Sequence, residues 1–432
     1  MTRQRIFTIF SAVLLHLCIG SIYAFSVLTK PLQTHFDIRQ STVSGVFSIA
    51  ILFLGFSAAF LGKFLGRHMA PSGSARLSAF FMLAGYATTV GAVALKSVPL
   101  LYLGFGALQG IGLGVGYITP VAKLIFLFPE NKGFATGAAI TGFGFSALLT
   151  GPLLEKLVRE FGLAQGIALA GGAFVALMLA ASFGLGGHYR RPDEGTLHLR
   201  ELAEETHVPR ATFWLLWTLL FLNISVGIAL LANASPLFQH TGVSAERAAW
   251  LVGVMGLANG TGRMLWATLS DKTGRWRAYA ALLALTVAIL GALLYGYEAA
   301  TGGAAVSVAG SVNGGVNGGA GAGFGVWLVA GASIALMACY GGGFSLMPAY
   351  IADIYGKKHV TEIHGKVLSA WGCAGIFGPV LAGWLIHNDT AGGAAKDNYA
   401  PAFVFLLALA AANLVVIWRL RKKPPATPLS PA

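Results

Sequence analysis

Residues Ile6–Thr29 read IFTIFSAVLLHLCIGSIYAFSVLT, without one Asp, Glu, Lys or Arg. As a helix rising 1.5 Å per residue this stretch covers about 36 Å, enough to cross the roughly 30 Å hydrocarbon core of a bilayer. It is too long for a signal-peptide core and lacks a convincing cleavage site, so it reads as a first span. The pattern repeats. Gln40–Gly62, Leu77–Leu95, Ser97–Ala122, Gly133–Leu154, Phe161–His188 and Ala211–Gln239 are equally free of charge. After Arg247 come Ala248–Gly262, a lone Arg263 and Met264–Ser270. Then follow Ala278–Tyr297, a long uncharged run to Ala352, Val367–Asn388 and Asn398–Trp418. Allowing the interior Arg and one helix at about 326–350, the pattern predicts an all-α integral membrane protein with twelve spans.

Only 10% of the residues are charged, against about 25% in soluble proteins, and mean hydropathy is +0.72. The 29 Lys and Arg outnumber the 16 Asp and Glu, a balance that in a soluble chain would point to nucleic acid. Their placement points elsewhere. With the N-terminus inside, the outer segments hold only Lys30, Arg39, Lys96, Lys156, Arg159, Arg247 and Lys396, and apart from Arg263 the rest fall in inner segments. That bias of about three to one predicts both termini in the cytoplasm. The basic excess orients the chain in a cell membrane, inner or plasma, and nucleic acid is not an expected partner. Cys18, Cys339 and Cys373 fall within spans, where a disulfide framework is implausible.

The most charged stretch, about 188–210, divides six spans from six and reads as a cytoplasmic linker between bundles at 1–187 and 211–432. The halves echo each other. Gly62-Lys-Phe-Leu-Gly-Arg67 stands where the second half has Ala267-Thr-Leu-Ser-Asp-Lys-Thr-Gly-Arg275. Gly116…Pro120…Lys132-Gly133 is matched by Gly343…Pro348…His364-Gly365. Two six-helix repeats suggest a transporter with its substrate site midway between them. Residues 301–325, almost wholly Gly, Ala, Val, Ser and Asn, read as a flexible external loop.

The segment Ser270-Asp271-Lys272-Thr273-Gly274-Arg275 resembles the loop signature of the major facilitator superfamily. Within it the chain is similar to the oxalate/formate antiporter family, through Gly20-Ser-Ile-Tyr23-Ala-Phe-Ser26 and the Gly-rich stretch ending Gly114-Val-Gly116-Tyr117. Phe128-Pro-Glu-Asn-Lys132-Gly133, Asn259-Gly-Thr-Gly-Arg263 and Tyr340-Gly-Gly extend the match. Monocarboxylate transporters are more distantly similar, through the Arg of span eight. The resemblance covers essentially all twelve spans and implies the major facilitator fold. It also implies gating roles for Asp271, Arg275 and Arg67. Two departures matter. Gly66 replaces the usual Asp of the first-half signature, which implies weaker gating ion pairs. Trp371 stands where oxalate-type members carry a substrate-facing Lys in span eleven, which disfavours a dianion.

Arg263 is the most informative residue. It lies about seven residues, roughly 10 Å, above the inner segment, and a buried Arg costs about 2.5–3.5 kcal/mol on insertion scales. No Asp or Glu lies deep in any span to neutralise it. One reading is an anionic substrate, since a guanidinium fork matches carboxylate geometry. The other is snorkelling toward the cytoplasmic interface. Asn259, one turn earlier on the same face, is either a pocket group or a helix–helix hydrogen bond. Monocarboxylate transporters have an Asp at this place; Asn cannot titrate, so that coupling device is missing. Gly106, Gly110 and Gly114 recur every four residues before Tyr117, which the resemblance places in the pocket. Tyr23 and His16, seven apart, share a face. Tyr23 reads as a pocket wall, and His16 as either a packing residue or a proton site. Tyr340 and Trp371 supply aromatic walls or ordinary core. Lys366 is a second anion contact at the inner mouth or a positive-inside anchor.

Gly142-Phe-Gly144-Phe-Ser-Ala147 matches a dinucleotide fingerprint as a string, but no strand precedes it. Neither a metal-ligand cluster nor a nucleophile with a partnered base is visible, so no cofactor and no enzymatic activity are expected. The sequence predicts a monomeric secondary transporter of small organic anions, foremost monocarboxylates of the lactate, pyruvate or formate type. It works by alternating access, with a proton or counter-anion as cosubstrate. The alternatives are oxalate/formate-type exchange and a non-transporting sensor, which would be expected to carry a larger soluble output domain.

Overall fold

The computed structural model describes residues 3–61, 65, 68–127, 132–186, 210–302, 320–355, 360–386 and 397–421, and every regular element among them is helical. Helix α1 begins as Arg3–Ile19, tightens into a 3-10 segment at Gly20–Leu28 and resumes at Thr29–Phe36. Helix α2 is Gln40–Phe56 with a π turn at Ser57–Leu61, and α3 is Pro71–Ala94. Helix α4 runs through Val98–Leu101, a π segment at Tyr102–Leu108, and Gln109–Leu127. Then come α5 (Lys132–Phe161), α6 (Leu163–Leu185), α7 (Arg210–His240), α8 (Ala245–Thr273), α9 (Arg275–Thr301) and α10 (Ala320–Tyr355). Helix α11 is in two pieces, Val360–Val367 and Ser369–Ile386, and α12 is Ala400–Leu420.

Local chemistry sets several of these boundaries. Pro71 opens α3, where a missing N–H costs nothing, after Ala70 in an extended conformation. The Ser244 side chain caps α8 by accepting the backbone N–H of Arg247. Gly274, at φ 87°, alone separates α8 from α9. A side chain at that φ would be strained, so the glycine permits a sharp stop. The signature segment expected as a loop is therefore mostly helix: Ser270–Thr273 form the last turn of α8 and Arg275 opens α9. The helix expected at about 326 begins at Ala320, so residues 320–325 are helical. Residues 303–319 of the low-complexity run, Arg67 with most of its segment, and nearly all of the 188–210 linker lie outside the described residues.

Among the described residues, ten helical stretches are long and apolar enough to cross a membrane. Large apolar side chains face outward, with Phe183 73% and Trp327 77% exposed. In water such exposure would be costly; against lipid chains it is neutral. The two other long helices, α5 and α8, are where the halves meet. The backbone of Gly144 on α5 approaches that of Gly260 on α8 so closely that a Cβ at residue 144 would sit 2.9 Å from the Gly260 Cα. Gly151 likewise faces Ala249, and Gly256 faces Ala147. Across the same seam α2 meets α11, with Gly55 against Gly372 and Gly383 against Ser41. Small residues substitute for hydrophobic driving force inside a membrane by letting backbones close.

One end of the seam carries a buried polar cluster. The Gln40 Nε2 of α2 donates to Asn233 Oδ1 of α7 at 2.6 Å and to the Tyr399 hydroxyl, just before α12, at 3.3 Å. Ser44 donates to the same Asn233 oxygen at 3.2 Å. His240 and Tyr297 stack behind Tyr399, and the Tyr399 N–H donates to the Tyr297 hydroxyl. Toward the other end of these helices, Phe60 of α2 and Met264 and Leu265 of α8 are exposed.

Candidate functional site

Arg263 sits on α8 just beyond the Gly144–Gly260 contact. Its helix is held against α10 by small residues: Gly262 packs on Ala338, and Gly341 leaves room only for the Asn259 backbone and carboxamide. Ser345 donates to the Arg263 carbonyl at 2.9 Å, fixing the register of the two helices. The guanidinium reaches into the seam, where its Nη1 is buried. Its Nε donates to Asn259 Oδ1 at 3.4 Å, and its Cζ lies 5.1 Å from the centre of the Phe344 ring. Asn259 is fully buried and Arg263 half-buried.

Aromatic rings complete the wall. Trp371 packs edge-on against Phe344 at 5.1 Å and against Tyr117 at 5.9 Å. Tyr117 in turn meets His16 at 5.5 Å and Phe143 at 5.7 Å, and Phe143 meets Tyr23 at 4.8 Å. Gly20 allows this last contact, since a Cβ there would overlap the Phe143 backbone and Ser146. Tyr340 reaches the same group across a notch left by Gly227 of α7, close to Tyr23, Tyr117 and Arg263. The Tyr117 hydroxyl faces the guanidinium.

Six buried polar atoms in this ring have no hydrogen-bond partner: Arg263 Nη1, Asn259 Nδ2, Tyr23 OH, Tyr340 OH, Trp371 Nε1 and His16 Nε2. An orphaned buried polar group costs about 1–3 kcal/mol, and more when charged. Several together on one wall mark a place built for something else to occupy. Five of the six can donate, which suits a ligand rich in acceptor oxygens. Among the described residues no group of three or more His, Cys, Asp or Glu is placed to hold a metal ion.

The structure thus brings Arg263, Asn259, Tyr23, Tyr117, Tyr340, Trp371 and His16 together, drawn from both halves. Lys366 stands apart, its side chain exposed on the short first piece of α11. The expected gating pair lies at the junction of α8 and α9. Arg275 pairs with Asp271 at 2.5 Å and with Asp353 of α10 at 3.7 Å, and all three belong to the second half. In this conformation they brace α8, α9 and α10 rather than joining the halves. Phe143 and Phe344 were missed because a single Phe in an apolar span carries no signal. The available clue was position, since Phe143 lies between Gly142 and Gly144 and Phe344 follows Gly341-Gly342-Gly343.

A family model of the Major Facilitator Superfamily matches residues 9–326 and 307–432. The chain is 24% identical over 388 residues to the oxalate:formate antiporter of Oxalobacter formigenes, covering 89% of this chain and 86% of that protein. It is 25% identical to apicoplast pyruvate carrier 1 of Toxoplasma gondii, covering 84% of this chain and 80% of the relative. Monocarboxylate transporter 12 of Rattus norvegicus is 22% identical, over 75% of this chain and 66% of its own length. The fold is similar to the crystal structure of a D-xylose-proton symporter, with a TM-score of 0.72 over 97% of this chain and 98% of that one, at 15% identity.

Proposed function

Because the chain belongs to the Major Facilitator Superfamily, we propose that it is a secondary active transporter of small monocarboxylates of the pyruvate, lactate or formate type. It moves them across a cell membrane by alternating access. In this reading both termini are cytoplasmic, twelve helices cross the bilayer, and the bundles at 1–187 and 211–432 rock about the site between them. Arg263 binds the carboxylate, Asn259, Tyr23, Tyr117 and Tyr340 supply further hydrogen bonds, and Trp371 closes the wall.

The observation that carries this reading is the Arg263 guanidinium with a buried, unpartnered Nη1 facing a wall of unpartnered donors. Snorkelling would place that nitrogen in water instead. A carboxylate satisfies the fork and removes the cost of an uncompensated buried charge at once. The relatives named for pyruvate, monocarboxylates, oxalate and formate support an organic anion as cargo.

Exchange of oxalate for formate is the second reading, favoured by the antiporter relative. A dianion asks for a second cation at the site, and the place on α11 that faces Tyr117 and Phe344 holds Trp371. The test is uptake of a labelled panel of mono- and dicarboxylates into proteoliposomes. Wild type should favour monocarboxylates, and Trp371→Lys should raise oxalate uptake relative to lactate. Movement of only neutral or cationic solutes would overturn the substrate class. An oxalate-to-lactate ratio unmoved by Trp371→Lys would remove the charge argument.

A further inference from the structure

The proposed site contains one titratable group that the binding scheme leaves idle. His16, on α1, is fully buried, and its Nδ1 lies 3.0 Å from the Ala12 carbonyl oxygen. A carbonyl can only accept, so Nδ1 carries the proton and the neutral ring presents a lone pair at Nε2. That Nε2 is buried and has no hydrogen-bond partner. The Tyr117 backbone lies close to the ring, and the Tyr117 ring lies edge-on at 5.5 Å. Arg263 is near enough to act on His16 electrostatically.

We propose that His16 is the proton-carrying group of the transport cycle, taking up one proton at Nε2 when an anion occupies Arg263 and releasing it with the anion on the other side. This rests on the reading of Arg263 as the carboxylate site. The charge count of this buried site decides when the ring can hold a second proton. An imidazolium beside an uncompensated guanidinium is a like-charge pair in a medium that screens poorly. An imidazolium beside a guanidinium already paired with a carboxylate is not. Occupancy of Arg263 therefore permits protonation of His16, and departure of the anion expels the proton. The loaded site, with guanidinium, anion and imidazolium, carries the same net charge as the empty one, so a complete cycle moves no net charge across the membrane.

Among the described residues, the helices packed on His16 bring no carboxylate or second imidazole against it. Helix α6, which packs on α1, contains no titratable side chain. Helix α5 presents Gly142 to the His16 Cβ, and its charged residues Lys132, Glu155, Lys156, Arg159 and Glu160 stand at its ends. Helix α4 contributes Tyr117, with Lys123 six residues further along. On α1 itself the other such groups are Cys18, Tyr23, Lys30 and His35 within the helix, and Arg3 and Arg5 at its start.

The experiment uses the full-length protein in liposomes loaded with a pH-sensitive dye, with pyruvate as the probe and protein-free vesicles as background. Wild type should acidify the lumen as pyruvate enters. An imposed inward proton gradient of about one pH unit should drive about tenfold accumulation, one proton per anion. His16→Gln keeps a neutral polar side chain at that wall, and whatever its rate of exchanging labelled for unlabelled pyruvate, that exchange should no longer be linked to protons. It should give no lumen acidification and no gradient-driven accumulation, and its net uptake should become sensitive to membrane potential. Lumen acidification by His16→Gln equal to wild type would overturn the proposal. Wild-type uptake without acidification would also do so, and that result needs no variant to fold. Wild type that exchanges no carboxylate removes the Arg263 reading and this proposal with it; intact exchange without proton movement removes this proposal alone.

Discussion

Replacing Gln40 by Ala should unlatch one end of the seam. Gln40 is fully buried and joins α2 of the first half to α7 and α12 of the second through bonds of 2.6 Å and 3.3 Å. Alanine removes both donors and leaves the Tyr399 hydroxyl and part of the Asn233 carboxamide short of a partner. At about 1–1.5 kcal/mol net for each of the two bonds, the conformation closed at this end loses roughly 2–3 kcal/mol. The conformation open at this end lacks these bonds already, so the ratio of the two shifts by about 30- to 150-fold. Ser48 lies two turns beyond Gln40 on the same face, is buried, and makes no hydrogen bond, so Ser48→Cys is a benign reporter. With Cys18, Cys339 and Cys373 replaced, a membrane-impermeant maleimide applied from the Gln40 side should label Cys at 48 faster in Gln40→Ala, toward that factor. Ser44 donates to the same Asn233 oxygen, so Ser44→Ala should shift labelling in the same direction by less. An unchanged labelling rate in Gln40→Ala would refute the reasoning.

Three further outcomes follow from particular contacts. Gly144→Val places a branched side chain against the Gly260 backbone, where a single Cβ already comes within 2.9 Å. It should lower thermal stability in detergent by about 1–3 kcal/mol or more and abolish transport, and near-native melting would contradict the seam geometry. Arg275→Gln removes ion pairs to two largely exposed carboxylates inside one half. Its cost should stay within about 1 kcal/mol and substrate exchange should persist, whereas loss of exchange in a stable variant would restore a gating role. His364, on the short first piece of α11, is pushed by burial from an ordinary 6.5 down to about 4. The unfolded chain then binds the extra proton first, so stability is full above about pH 6.5 and declines as pH falls toward 4. His364→Asn should flatten that part of the stability–pH curve, and an unchanged slope would show the imidazole is not the source.

The uncharged stretches made the helices legible, because a bilayer tolerates little else over about 20 residues. Arg263 and Asn259 were legible for the converse reason: a charge and an amide one turn apart inside a span demand an explanation. The Gly106, Gly110 and Gly114 series also gave its packing correctly, each glycine facing α2. What stayed hidden depends on which remote surfaces meet. Gln40 and Tyr399 are separated by 359 positions, and no local pattern announces their hydrogen bond. Phe143 and Phe344 are two of 28 phenylalanines, distinguished only by what they face. The helix through Ser270–Thr273 was obscured by a signature read as a loop, although only Gly274 breaks the backbone. Residues 320–325 look like linker by composition, yet small apolar residues form helix readily once packed; Gly325 lies against the α9 backbone at Gly296 and Ala300.

In this scheme the Arg263 guanidinium, its Nη1 unpartnered, receives the carboxylate, and equilibrium binding of labelled pyruvate to purified protein tests that without the rest of the cycle. Each charge-assisted hydrogen bond contributes about 1.5–3 kcal/mol, so loss of a two-pronged contact should weaken binding by at least about a hundredfold in Arg263→Ala. Arg263→Lys, which keeps the charge and loses the fork, should fall between that variant and wild type. Wild-type affinity in a folded Arg263→Ala protein would contradict the account.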